Sequence, residues 1–119
     1  MMVMDNLFPE ATTIDVAKTK ILLNQYKNKT IIVERLIPET PKQKLVLEND
    51  KHMIRTLEKA VNLILDPEIR EIITYRYLEG NPRKAALVKY RNFTDRTFDR
   101  KVEEGIISVA NMLRLWEEI

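Results

Sequence analysis

The stretch Asp66-Pro-Glu-Ile-Arg-Glu-Ile-Ile-Thr-Tyr-Arg-Tyr-Leu-Glu-Gly80 runs into Asn81-Pro82, then Arg83-Lys-Ala-Ala-Leu-Val-Lys89, Tyr90-Arg-Asn-Phe93 and Thr94-Asp-Arg-Thr-Phe-Asp-Arg-Lys-Val102. Three helix starts and one firm stop are written into it. Asp66 suits an N-cap, Pro67 the first helical position and Glu68 the positive end of the helix dipole. Gly80 suits the left-handed residue that ends a helix. Asn81-Pro82 repeats the cap-plus-proline start, and a short helix follows over about residues 82–89, with Ala85, Ala86 and either Leu87 or Val88 inward. Residues 90–93 read as a turn. Thr94 caps a last helix that runs to about Trp116, on an apolar stripe of Phe98, Val102, Ile106, Val109, Leu113 and Trp116. A scaffold helix, a short helix, a tight turn and a long helix make a helix-turn-helix layout over residues 82–117.

Outward from this unit the chain also reads as helix. It has 119 residues, 45% of them hydrophobic and 32% charged, with two glycines, Gly80 and Gly105. Leu, Ile, Glu and Lys dominate, and few alternating runs are visible, which predicts an all-α protein. A first helix opens near Thr13, capped by Thr12 or Thr13, with Asp15 in its first turn and Ile14, Ala17, Ile21, Leu22 and Tyr26 as its apolar face. Ile31, Ile32, Val33 and Leu36 extend it, although the β-branched run over residues 30–33 also admits a short strand. Pro38 and Pro41 break the chain, so residues 1–36 form an N-terminal helical segment, 37–43 a linker and 44–119 the helical domain. In that domain a helix over residues 44–65 buries Ile54, Leu57, Val61 and Ile64. Gly105, inside the last helix, costs about 1 kcal/mol relative to Ala, and a close helix crossing there would account for it.

The charge distribution narrows the function. The net charge is only +2, yet residues 83–101 carry seven Lys/Arg against two Asp/Glu, and residues 102–119 carry one against four. A basic patch in a nearly neutral chain points to a polyanion. The second helix of a helix-turn-helix enters the major groove, about 12 Å wide, with its N-terminal residues at the base edges. Arg96, Thr97, Arg100 and Lys101 occupy those positions, and arginine suits bidentate contact with guanine. Thr94, Arg83, Lys84, Lys89 and Arg91 are candidates for the phosphate backbone. Asp95 and Asp99 oppose phosphate. Asp95 is compatible with the helix dipole, and Asp99 with an arginine partner on its own helix.

The Asp66–Gly80 sequence, above all Arg76-Tyr77-Leu78 before Gly80, resembles the helix leading into the DNA-binding region four of bacterial sigma factors, with Phe93-Thr-Asp-Arg-Thr-Phe-Asp-Arg-Lys-Val102 in the place of the recognition helix. The whole chain is more similar to the ArpU-like group of phage transcriptional regulators. It shares Phe8-Pro9-Glu10, Lys18-Thr19-Lys20 to Tyr26, a variable linker, and Phe98 followed by Arg100. The usual turn glycine is missing at Lys89-Tyr90-Arg91-Asn92, where Asn92 is the residue that best tolerates a left-handed conformation. The resemblance implies control of late phage or prophage genes inside a bacterial host cell, on double-stranded DNA, with RNA polymerase or a second copy of the chain as further partners.

Other function classes find little support. With no cysteine there is no disulfide, thiolate zinc site or thiol nucleophile, and a cytoplasmic location is expected. Residues 1–10 do not read as a signal peptide, and no run approaches the roughly 20 apolar residues of a membrane span. His52 is the sole histidine and has no evident catalytic or metal partner. The pairs Glu103-Glu104 and Glu117-Glu118 point about 100° apart on a helix and do not converge. Tyr75, Tyr77 and Trp116 read as core or interface residues. No phosphate-cradling glycine loop is present, so neither an enzyme nor a bound cofactor is expected. The competing reading is a protein-interaction module that uses the apolar faces of the helices at 13–36 and 44–65.

Overall fold

The computed structural model describes residues 10–119 as five α-helices and no strand. The ordering is α1 (Thr13–Arg35), α2 (Pro41–Asn62), α3 (Pro67–Ile73, continued by a π-helical segment, Thr74–Leu78), α4 (Arg83–Lys89) and α5 (Asp95–Leu115). The all-α expectation is met. Phe8-Pro9 of the family resemblance and most of the stretch tested for a signal peptide lie outside the described residues.

Local chemistry explains where the helices begin. Thr12 caps α1 in a reciprocal box: its hydroxyl accepts from the Asp15 N–H at 3.1 Å, and its own N–H donates to the Asp15 carboxylate at 2.9 Å. Asp66 accepts from the N–H groups of Glu68 and Ile69, and Thr94 from that of Thr97. Gly80 stands at φ +77, the left-handed conformation its position after α3 demands.

Of the two alternatives for residues 30–33 the helical one holds, since the first helix continues unbroken to Arg35. Three expectations are corrected. The second helix starts at Pro41, not 44, since Thr40 accepts from the Gln43 N–H and Pro41 takes the first helical position, so the connection is only residues 36–40. Asn81 does not cap α4. Its side-chain amide donates to the Tyr75 carbonyl at 3.0 Å, and Pro82 occupies the cap position. Asn92 is not left-handed, because the turn closes instead through the Phe93 N–H donating to the Tyr90 carbonyl at 3.0 Å.

The main core joins Leu23 and Tyr26 of α1 to Leu57, Ala60 and Val61 of α2, Ile64, Ile69 and Ile73 of α3 and its lead-in, Tyr77, and Ile106, Val109 and Leu113 of α5. α1 therefore packs into the same core as the C-terminal helices. Its buried face is Asp15, Thr19, Leu23 and Tyr26, with Leu22 partly covered, whereas Ile14, Ala17 and Ile21 point to solvent. This reverses three of the five residues of the predicted stripe. Buried Asp15 is matched by Arg114 of α5 at 2.7 Å, and the Thr19 hydroxyl donates to the Asp15 carbonyl at 2.8 Å. Gly105 makes the close crossing its position suggested. A Cβ there would lie 2.4 Å from Cγ1 of Ile73. No helix among the described residues is long and apolar enough to cross a membrane.

Candidate nucleic-acid interface

A second, smaller core holds α4, the turn after it and the start of α5 on α3. Ile72 of α3, Ala86 of α4, Tyr90 of the turn and Phe98 of α5 are buried together, flanked by Tyr75, Leu87, Phe93 and Val102. Tyr90 is its centre. Its ring stands edge-on to Tyr75 at 5.8 Å and stacks on Phe98 at 6.0 Å, and its hydroxyl donates to Glu71 at 3.1 Å. Burial, followed by the Glu71 carboxylate, pushes the Tyr90 phenol well above its ordinary pKa. Of the two alternatives for the inward residue of α4, Leu87 packs inward, and Val88 is exposed.

Phe98 and Val102 seat α5 on this core, so Asp95, Arg96, Asp99 and Arg100 form the outward side of its first two turns. Arg96 is exposed and makes no ion pair among the described residues, and Arg100 pairs only with Glu104 on the same helix at 3.0 Å. Thr97 lies half-buried beneath them, its N–H held by Thr94, whose hydroxyl also donates to that of Thr97 at 2.9 Å. Thr94 is thus committed to capping.

Asp99 finds its arginine across the turn, not on its own helix. Arg83 of α4 donates to its two carboxylate oxygens through Nε and Nη2, each at 2.9 Å. These bonds raise the Arg83 pKa and hold the Asp99 carboxyl below the usual carboxylate range, with Lys20 of α1 adding to the second effect. Comparison with protein-family models, curated proteins and solved structures returns no match.

Its bond to Asp99 sets Arg83 against the stretch of α5 that carries Arg96 and Arg100, with Lys84 exposed in the first turn of α4 and Arg91 exposed in the turn. Two predicted residues are drawn elsewhere. Lys101 is mostly buried, 2.8 Å from Glu68 and over the Phe93 ring at 5.2 Å. Lys89 lies over Tyr75 at 5.2 Å and Tyr90 at 5.7 Å, in a hollow shared with Glu71 and Glu79. Lys20 was missed by sequence reasoning. It lies in α1, more than seventy residues from Asp99 in the chain, and only tertiary packing brings its charge to bear. His52 faces Glu118 at 2.9 Å, an exposed contact far from this site in the sequence.

Proposed function

We propose that the protein is a sequence-specific DNA-binding transcriptional regulator that places the first two turns of α5 in the major groove. The observation that carries this reading is the outward ridge of α5. Arg96 and Arg100 project from adjacent turns, and the intervening Asp99 is neutralised by the two-pronged bond from Arg83. Without that bond the carboxylate would repel phosphate. With it, Arg96 is unpaired among the described residues, Arg100 is held only by Glu104 of its own helix, and Asp95 is the one carboxylate of these turns without an arginine partner. Lys84 and Arg91 flank the ridge as phosphate contacts, which position the helix without reading sequence. The acids Glu103 and Glu104 come a turn later, where a helix inserted by its N-terminal end rises out of the groove.

The resemblance to ArpU-like regulators extends this reading to phage or prophage late-gene control. A regulator of this kind needs neither a catalytic centre nor a cofactor. The test is binding of the full chain to duplex DNA as salt is raised. Affinity should fall linearly on logarithmic axes, by about 0.9 in slope per phosphate contacted, and Lys84→Ala or Arg91→Ala should each reduce that slope by about 1. An affinity unaffected by salt would count against the proposal. A second reading, an interaction module, is favoured by one observation only, the uncovered face of α1.

A further inference from the structure

The outward face of α1 carries apolar side chains where a surface helix ordinarily carries charge. Ile14 is 66% exposed, Ile21 55% and Ile32 48%. Between them along the same face are Ala17, Asn24, Gln25 and Asn28, all exposed and uncharged, with the exposed Lys18 on the edge beside Ile14 and Ile21. This stripe lies directly opposite the buried Asp15, Thr19, Leu23 and Tyr26, so nothing in the fold of the described residues covers it. Isolated exposed isoleucines are ordinary, but a continuous uncharged line of about five turns is the surface of an interaction helix.

Its borders say what fits. At about 100° per residue, Lys18 stands roughly 40° beyond Ile14 on one edge of the stripe and Lys20 roughly 40° beyond Asn24 on the other, with Lys27 further round on the Lys20 side, its stem against Gly80. None of the three forms an ion pair among the described residues, and the nearby Lys29 is already held by Asp50 at 3.2 Å. The acids of α1 lie away from the stripe: Asp15 is buried and Glu34 falls on the inner side of the helix wheel. A second copy of the chain laid along this face would set lysines against lysines on both borders, which disfavours a symmetric pair.

We infer that α1 is a docking site for a partner protein that presents an amphipathic helix with an apolar seam and acidic borders. The isoleucines supply the buried seam, and Lys18, Lys20 and Lys27 select the partner's charge and fix its register. Lys20, whose charge also reaches Asp99 of α5, is the one residue shared with the α4–α5 reading, and the inference does not depend on that reading.

The test uses the full chain and two labelled synthetic helices of three heptads, both with Leu at the seam positions, one bordered by Glu and the other by Lys. Binding is read by fluorescence anisotropy. The Glu-bordered helix is expected to bind about tenfold more tightly, from several screened surface pairs acting together. Ile14→Gln with Ile21→Gln should remove that binding and leave DNA binding and the helical circular dichroism unchanged, since both side chains are exposed. Lys18→Glu with Lys27→Glu should transfer the preference to the Lys-bordered helix. Equal binding of the two helices, or binding that survives the isoleucine changes, overturns the inference. So does a homodimer in light scattering that the isoleucine changes dissolve, or binding to phosphatidylserine vesicles in preference to either helix.

Discussion

Arg83 and Asp99, sixteen residues apart, are joined by two parallel hydrogen bonds of 2.9 Å that tie α4 to α5 across the turn. The pair is half-exposed, so it adds little to stability. Its consequence is electrostatic: it removes a free carboxylate from the ridge that carries Arg96 and Arg100. Asp99→Ala should therefore raise affinity for DNA of any sequence and steepen the salt dependence by about one phosphate contact, because Arg83 is released. Anisotropy titrations at two salt concentrations check this. A weaker complex would mean instead that the pair is needed to hold α4 and α5 in their docking geometry.

Lys101 and Arg96 should part company. Lys101 is tied to Glu68 and lies over the Phe93 ring, so Lys101→Ala is expected to change DNA affinity much less than Arg96→Ala, which should cost about 1–3 kcal/mol on a cognate site. Side-by-side titration of the two variants on one duplex provides the comparison.

Gly105 lies where α5 crosses α3. Alanine ordinarily stabilises a helix interior by about 1 kcal/mol relative to glycine. Here the added methyl meets Ile73 at 2.4 and 2.6 Å, and overpacking costs about 1–3 kcal/mol. Gly105→Ala should thus destabilise the protein, with the loss partly restored by Ile73→Val in the same chain. Urea unfolding of the single and double variants measures both steps.

Tyr90 organises the smaller core. Tyr90→Phe keeps the ring contacts and loses only the bond to Glu71, at about 1 kcal/mol. Tyr90→Ala removes the ring and should cost about 3–5 kcal/mol. DNA binding should follow the same order, with the Phe variant near wild type and the Ala variant strongly impaired.

Asp15 gives the fold a pH-dependent tie between α1 and α5. The Thr12 backbone N–H, opposed by burial and assisted by the Thr12 hydroxyl and Arg114, sets its carboxyl below the ordinary 3.8. The unfolded chain therefore takes up this proton first. The stabilisation is fully present above 3.8 and is lost as pH falls through the lowered folded value. The stability difference between the wild type and Asp15→Asn should shrink as pH is lowered below 3.8, as followed by thermal melts.

Much of the fold was legible because the helix signals are chemical and local. Thr12, Asp66-Pro67, Gly80 and Thr94 each act within four residues, and each marks a real boundary. The long stripe of α5 was legible because only one of its faces is apolar. α1 was not, because Ile14 and Ile21 on one side compete with Leu23 and Tyr26 on the other, and periodicity alone does not choose between two apolar faces. Thr40-Pro41 has the same cap-and-proline form as Asp66-Pro67, yet two prolines close together read as a linker. The π-helical segment at Thr74–Leu78 left no pattern to read. In the candidate site, the positions of Arg96 and Arg100 followed from spacing. The diversion of Lys101 to Glu68 and of Arg83 to Asp99 depended on how three helices pack, which a single chain of letters does not encode locally.

Whether the first two turns of α5 read DNA sequence is decided by selecting bound duplexes from a random pool with the wild-type chain and with Arg96→Ala/Arg100→Ala. The wild type should enrich a short guanine-containing motif, and the double variant, folded and still binding DNA weakly, should enrich none. Enrichment of the same motif by both proteins, or of no motif by the wild type, would contradict that role of α5.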